Sequence, residues 1–248
     1  MGKIPANREQ AKPSVEGKGP AKAGGRPRKY DPEATRANIL AVAMEEFAEN
    51  GLSGARIDEI AAKTRTSKRM IYYYFGDKQG LYRHVLEAAY QRVRLGEEAL
   101  ELDHLPPAEA LRRLVEFTFT HHSKTPEFIR LVMIENIHHG AYLRESEVIR
   151  TLNAGVIAHI GRVYAAGCEA GVFRAGLEPI EIHWLISALA FFNVSNRATF
   201  AQIFDWDRLQ EDGQGALMAQ VVDIVLRFVL EPSAVQASCD EAHLSETV

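Results

Sequence analysis

Apolar residues recur every three to four positions along most of the chain, which is the period of an α-helix. The apolar/polar alternation that marks strands does not stand out between the punctuating glycines and prolines. The pattern therefore predicts an all-α protein. In its C-terminal part the predicted helices cover residues 108–123, 126–139, 145–170, 179–203 and 214–230.

The first predicted helix carries both a start signal and an end signal. Asp31 can cap its N-terminus, and Pro32 suits the first helical position. Asn50-Gly51 ends it, because glycine readily takes the left-handed conformation that follows a helix. Between these signals one face is apolar and is predicted to be buried, consisting of Ile39, Val42, Ala43 and Phe47.

Two short helices separated by a tight turn come next. The second helix turns Ile57 and Ile60 inward, residues 64–66 form a turn, and Ser67 caps a third helix that runs to about Tyr74. Asp77 can cap a fourth. This spacing is the helix-turn-helix layout, in which the second of the two short helices lies in the DNA major groove.

Composition divides the chain further. Residues 1–30 are rich in Gly, Pro, Lys and Ala, which predicts a disordered basic arm, and residues 231–248 are predicted to be a flexible tail. Between them we expect a helix-turn-helix domain over residues 31–78 and a second helical domain over residues 79–230.

Charge is distributed unevenly between the two ends. Residues 1–94 hold 18 Lys and Arg against 11 Asp and Glu, so the remainder of a chain with net charge −4 carries −11. A basic N-terminal part is typical of a protein with a polyanionic partner. A solvated basic tail without a partner would have the same composition, so charge alone does not decide between them.

Several classes of protein are disfavoured. No apolar run reaches the length of a membrane span and the N-terminus lacks the apolar stretch of a secretory signal, so we expect a cytoplasmic protein without a membrane partner. Cys168 and Cys239 make no disulfide framework. Neither a Gly-rich phosphate loop nor a nucleophile elbow is found. We therefore expect no enzyme activity and no cofactor.

A metal site is the alternative from another class. Glu135 and His138 have the i, i+3 spacing of helical di-iron sites, but such sites need this motif on two helices and the chain offers one copy. The pairs His121-His122 and His138-His139 could add zinc ligands, although adjacent residues on a helix point in different directions. We expect no metal, and stoichiometric metal in the purified protein would favour this alternative.

The segment Ser67–Phe75 carries the chemistry that a DNA reader needs. Ile71 and Phe75 are four residues apart and can face the core, with Met70 beside them. The outer face is left with cations and hydroxyl-bearing aromatic rings, and the helix N-terminus attracts phosphate. The alternative is a tyrosine-rich core helix, which is disfavoured because Tyr72, Tyr73 and Tyr74 cannot all point inward.

Here the sequence resembles the DNA-binding domain of the tetracycline-repressor (TetR) family over about residues 33–86. The matching positions are Ile39-Leu40, Ala43, Phe47, Gly51, Ile60-Ala61, Thr66-Ser67, Ile71–Phe75, Lys78 and Leu81. The resemblance implies a homodimeric transcriptional regulator, commonly a repressor that a small-molecule effector releases from double-stranded operator DNA. It implies phosphate contacts by Tyr72 and Lys78 and major-groove contacts by Lys68, Arg69 and Met70. The full set of predicted DNA-binding residues is Arg26, Arg28, Lys29, Arg56, Ser67, Lys68, Arg69, Met70, Tyr72, Tyr73, Tyr74 and Lys78.

The turn and the arm leave alternatives open. Arg65 stands where the family usually has Gly, so the turn must accommodate a β-carbon, if need be at positive φ. Arg56 is either a phosphate contact or a surface charge that pairs with Asp58 or Glu59. The basic arm, Arg26 to Lys29, either enters a minor groove or acts as a nonspecific tether.

For the second domain the resemblance implies an effector site and a dimer formed by the last two long helices, here 179–203 and 214–230. A fainter likeness to regulators of pyrimidine utilisation lies around Arg130, Glu135 and Gly140-Ala141. Polar or aromatic residues on apolar helices are candidates for the effector site, although each could equally be an ordinary core or surface residue. The predicted effector residues are His121, Glu135, His138, Tyr142, Trp184, Phe192, Asn193 and Asn196, with His122, His139, His159 and Cys168 as further candidates.

Overall fold

The computed structural model describes residues 31–206 and 211–232. Within these ranges the regular elements are helical, which confirms the predicted all-α class, and an isolated antiparallel bridge joins Phe173 to Leu230. The α-helices are α1 Pro32–Gly54, α2 Ile57–Thr64, α3 Lys68–Phe75, α4 Lys78–Glu98, α5 Pro107–Lys124, α6 Pro126–Ile137, α7 Ala141–Arg144, α8 Glu147–Glu169, α9 Pro179–Ser195, α10 Arg197–Phe204 and α11 Gln214–Val229.

The signals at the ends of the N-terminal helices behave as predicted. Gly51 has φ +66° and ψ 175°, so helical geometry in α1 is interrupted there before its last residues. Ser67 caps α3, and Asp77 caps α4 by accepting a hydrogen bond from the Gly80 N–H at 2.6 Å. These caps matter because they separate α3 from its neighbours and fix where the recognition helix begins.

The first hydrophobic core joins the helix-turn-helix to the rest of the molecule. Ile39, Ile60 and Ile71 from α1, α2 and α3 are fully buried. Leu81, Tyr82, Val85 and Leu86 of α4 continue the same cluster to Phe128, Ile129 and Leu131 of α6 and to Ile149 of α8. Helix α4 is therefore packed against both the three N-terminal helices and the C-terminal helices.

The second core lies among α5, α8, α9 and α11. These helices bury Leu111, Val115, Phe119, Ile160, Ile182, Ile186, Val221, Val225 and Val229 against one another. No helix among the described residues is long and apolar enough to cross a membrane.

Two predicted helices were too long. The segment 126–139 leaves helical geometry after Ile137, because His139 and Gly140 both have positive φ, and a short helix α7 follows. The segment 179–203 is divided at Asn196, whose φ of −106° and ψ of 2° separate α9 from α10. Apolar periodicity continues across both breaks, which is why it did not reveal them.

Candidate DNA interface and effector cavity

The turn between α2 and α3 is closed by backbone hydrogen bonds around a left-handed residue. Arg65 has φ +54° and ψ 35°, which confirms the positive φ considered for this position. The Thr66 N–H reaches the Ala61 carbonyl at 3.0 Å and the Arg65 N–H reaches the Ala62 carbonyl at 3.2 Å. A left-handed residue of this kind is a usual way to end a helix, although a side chain there is strained.

Helix α3 has one buried face and one exposed face. Ile71 and Phe75 are buried, as predicted, and the Met70 N–H donates to Ser67 Oγ at 3.2 Å. Tyr73 is 81% exposed and Tyr72 44% exposed. Lys68 and Arg69 are exposed as well, whereas Met70 and Tyr74 are half-buried. The exposed face thus combines two cations with two phenol groups beside a helix N-terminus, which suits a phosphate-lined groove.

The other predicted DNA contacts lie on neighbouring elements. Lys68 forms an ion pair with Asp58, and Arg56 lies 3.9 Å from Glu59, so the surface-pair alternative for Arg56 is present in the free protein. Lys78 Nζ donates to the Ser53 carbonyl at 3.1 Å. The arm residues Arg26, Arg28 and Lys29 lie outside the described residues.

One positioning residue was missed by the sequence reasoning. Glu46 is buried and its carboxylate accepts from the Arg56 N–H and from Asn50 Nδ2, both at 3.1 Å, and from Lys63 Nζ at 3.5 Å. It therefore connects the end of α1 to α2. The available signal was its spacing, because Glu46 is three residues after Ala43 and falls on the apolar face of α1.

A cavity of about 540 Å³ lies among α4, α5, α6, α8 and α9. Its size is within the usual range for small-molecule sites, and its wall combines aromatic rings with a few polar groups. The lining residues are Tyr90, Val93, Arg94, Glu97, Thr118, His122, Phe128, Val132, Asn136, Asn153, His183, Trp184, Ser187, Ala188 and Phe191.

A buried ion pair contributes the charged groups of this cavity. Arg94 Nη1 lies 2.5 Å from Glu97 Oε2, and both residues are over nine-tenths buried. Burial raises the pKa of the Glu97 carboxyl, and Arg94 opposes that rise. The Arg94 Nε–H is buried without a hydrogen-bond partner among the described residues. An unsatisfied buried donor is costly, so this group favours a ligand that supplies an acceptor.

The histidines of the cavity are neutral. Burial, with smaller contributions from His121 and Arg94, lowers the pKa of His122 to about 4. Burial followed by the charge of Arg94 lowers the pKa of His183 to about 4 as well. His122 Nδ1 has no hydrogen-bond partner within the described residues. Neutral imidazoles can donate or accept, so they add hydrogen-bonding capacity without charge.

Most predicted effector residues lie elsewhere. Of the eight, Trp184 lines the cavity, and so does His122 from the wider set. His121 packs against Phe117 and Phe128 beside the cavity. The others take structural or surface positions. Glu135 is buried and accepts hydrogen bonds from the Tyr142 and Leu143 N–H groups at the start of α7, and the Tyr142 ring packs on Tyr82. Asn193 donates a hydrogen bond to Gln214 at 2.8 Å, Asn196 ends α9, and His138 and Phe192 are exposed.

The lining residues that the sequence reasoning missed are mainly on α4, α6 and α9, and α8 contributes Asn153. Arg94, Glu97 and Asn153 line the cavity, but single polar residues on amphipathic helices resemble surface residues until the fold is known. One signal was available, since Glu97 is four residues after Val93 on the apolar face of α4. No three His, Cys, Asp or Glu side chains of residues 31–206 and 211–232 come together as a metal site would require.

Taken together, the exposed α3 and the cavity among the C-terminal helices are features of a helix-turn-helix regulator with a second helical domain. Comparison with known proteins identifies the family. Residues 39–85 match the model of bacterial regulatory proteins of the tetR family, and residues 107–225 match the tetracyclin repressor-like C-terminal domain. The chain belongs to the TetR family, and it is a DNA-binding transcriptional regulator rather than an enzyme.

Two similar relatives are named as repressors. The HTH-type transcriptional repressor NicS of Pseudomonas putida is 33% identical over 195 residues, which cover 79% of this chain and 92% of NicS. The HTH-type transcriptional repressor SCO4008 of Streptomyces coelicolor is 33% identical over 165 residues, covering 64% of this chain and 78% of the relative.

Solved structures share the fold. The putative transcriptional regulator SCO4942 of Streptomyces coelicolor superposes with a TM-score of 0.61 at 27% identity, covering 80% of this chain and 99% of that one. HlyIIR, a hemolysin II transcriptional regulator, gives a TM-score of 0.56 at 26% identity over 81% of this chain and 99% of its own.

Proposed function

We propose that this protein is a homodimeric repressor that holds operator DNA through α3 of each subunit and releases it when a small molecule fills the cavity. The observation that carries the proposal is the exposed face of α3, where Lys68, Arg69, Tyr72 and Tyr73 lie together on a helix that is firmly anchored by Ile71 and Phe75. Repressor function agrees with the names of its relatives. Acting on chromosomal DNA, it would work in the cytoplasm.

The contacts divide into two kinds. Arg69, with Lys68 and Met70, reads base edges in the major groove, while Tyr72 and Lys78 bind phosphates. Arg56 leaves its exposed pair with Glu59 for a phosphate, at little cost because such a surface pair contributes little to stability. The basic arm adds Arg26, Arg28 and Lys29.

The dimer forms through α9 and α11. Ile180, Trp184 and Phe192 make an apolar stripe along α9 and are between 49% and 68% exposed, and Ile224 of α11 is 46% exposed. Large apolar side chains exposed in a row indicate a surface that another chain covers. Trp184→Glu and Ile224→Glu should each give monomers in analytical ultracentrifugation. Ile137→Glu, at a 72% exposed position on α6, serves as the control and should remain dimeric.

Release follows from the position of α4. Tyr90, Val93 and Arg94 on this helix line the cavity, while Leu81 and Tyr82 near its start pack in the core shared with α1 to α3. A ligand that prefers a tilted α4 separates the two recognition helices, which must stay about 34–36 Å apart to fit successive major grooves. The coupling is reciprocal, so operator and ligand each weaken binding of the other by the same factor.

The proposal is tested by recovering genomic fragments that bind the full-length protein, followed by selection from random DNA. Arg69→Ala should alter the selected base at one position in each half-site, whereas Lys78→Ala should weaken binding to all sequences alike. The assignment is wrong if Arg69→Ala loses affinity evenly and Lys78→Ala changes the selected motif. The proposal as a whole fails if no genomic fragment binds in preference to bulk DNA.

A further inference from the structure

The side chains that line the cavity indicate the chemical class of its ligand as well as its size. This inference rests on the proposed function insofar as the cavity is taken to be the effector site. The cavity wall holds one buried cation, two histidines with lowered pKa values and several aromatic rings.

Arg94 lines the cavity and has an unused donor. Its Nη1 is bound to Glu97, but its Nε–H is buried and has no hydrogen-bond partner within the described residues. A guanidinium offers its donors in a rigid planar fork, whose usual complement is a carboxylate. The acceptor that this donor lacks is therefore best supplied by an oxygen of an anionic planar group.

Arg94 is the buried cation of the cavity wall. Burial lowers the pKa values of His121, His122 and His183, and the charge of Arg94 lowers each of them further, together with Arg92 at His121. Glu97 is the single carboxylate of the cavity wall, and it is already bound to Arg94.

The rest of the wall suits a flat ring. Tyr90 and Phe128 lie edge to face with ring centroids 5.3 Å apart, and His122 lies 5.8 Å from Phe128. Phe191 and Trp184 line the cavity as well. Aromatic side chains bind planar rings by stacking and by edge-to-face contact. The amides of Asn136 and Asn153 and the neutral imidazoles add donors and acceptors for ring substituents.

We propose that the cavity binds a small aromatic carboxylate of one or two rings, with the carboxylate on Arg94 and the ring among Tyr90, Phe128 and Phe191. A cation would supply no acceptor for the Arg94 Nε–H. A purely apolar ligand would leave both the Arg94 Nε–H and His122 Nδ1 without partners, which is unfavourable in a buried site.

Isothermal titration of the full-length protein tests this with benzoate, the three hydroxybenzoates, indole-3-carboxylate and 2-naphthoate, each compared with its primary carboxamide. At least one acid should bind, with a Kd at least tenfold lower than that of its amide. The amide has the same shape without the charge, so the ratio isolates the carboxylate. The proposal is overturned if no acid binds, or if acid and amide bind equally.

Two variants test whether Arg94 causes the preference for the acid over the amide. Arg94→Gln/Glu97→Gln removes both charges together, leaves neither partner unpaired, and should abolish the tenfold preference. Arg92→Gln, on the exposed side of the same helix, is the matched control and should retain it. A preference that survives the double variant would contradict the assignment to Arg94. The comparison of acid with amide on the unaltered protein stands whether or not the double variant folds.

The outcomes also separate this inference from the proposed function. An acid that binds in the cavity without weakening operator binding supports the ligand class and contradicts the proposed release. A neutral or cationic compound that releases the operator supports the release and contradicts the ligand class.

Discussion

At α3 the charged and hydroxyl-bearing side chains lie on the surface, whereas around the cavity the comparable groups are buried. Lys68 and Asp58 form an ion pair in which both side chains are 52% exposed, and Arg94 and Glu97 form one in which they are 10% and 7% exposed. An exposed pair exchanges readily with a phosphate, while a buried pair is held by its surroundings. Breaking the exposed pair should therefore cost little stability, whereas removing one partner of the buried pair should cost much more.

The largest effect that would sharpen this comparison is on the free energy of unfolding. Glu97→Ala leaves Arg94 as an uncompensated buried charge and should lower stability by about 3–5 kcal/mol. Asp58→Ala breaks the exposed pair and should cost less than about 1 kcal/mol. Urea unfolding at one fixed protein concentration measures both. Equal losses for the two variants would show that burial does not distinguish the two regions.

The second largest expected effect is a loss in the free energy of unfolding in acid. His122 and His183 have pKa values of about 4 in the folded protein, below the ordinary value of 6.5. The unfolded chain therefore binds more protons between pH 4 and 6.5, and stability is full above pH 6.5 and falls as the pH drops towards 4. At pH 5 the loss is about 2 kcal/mol per histidine.

Unfolding by urea at pH 7.5 and pH 5 measures this loss. His122→Asn should reduce the difference between the two conditions by about 2 kcal/mol. His138→Asn changes an exposed histidine and is the control. A wild-type protein that is equally stable at both pH values would contradict the buried, neutral state of the two cavity histidines.

The same contrast explains what could be predicted from the sequence. The helix-turn-helix is local: caps at Ser67 and Asp77 and the apolar pair Ile71 and Phe75 lie within eleven residues, so pattern and spacing define them. The exposed face of α3 follows directly, because the cations and tyrosines remain for it once Ile71 and Phe75 are assigned to the core. Even Glu46, which was missed, could have been found from its place on the apolar face of α1.

The cavity is different because five helices contribute to it. Arg94 and Asn153 are 59 positions apart in the sequence, and nothing local relates them. Conspicuous polar residues on apolar helices were a poor guide, since Glu135 and Asn193 are used for packing and helix ends. Trp184 was predicted as an aromatic residue on an otherwise apolar helix, and it lines the cavity.

The smallest predicted effect concerns the turn of the DNA-reading region. The backbone of Arg65 has the left-handed conformation, which costs an L-residue about 1–2 kcal/mol. Glycine adopts this conformation freely, at an entropic cost of about 0.5–1 kcal/mol. Arg65→Gly should therefore raise the free energy of unfolding by up to about 1 kcal/mol. Ala62→Gly, at an exposed helical position of α2, should lower it by about 1 kcal/mol. A loss of stability in Arg65→Gly would mean that the side chain holds the turn.

The central claim is that the exposed face of α3 binds DNA, and fluorescence anisotropy on a genomic site recovered with this protein tests it most directly. Lys68→Ala/Arg69→Ala removes two cations from α3, and Arg112→Ala/Arg113→Ala removes two exposed cations from α5. We expect the α3 variant to bind roughly 100-fold more weakly, since each lost contact costs about 1–3 kcal/mol, and the α5 variant to bind like the wild type. Equal affinities of the two variants for this site would contradict the claim.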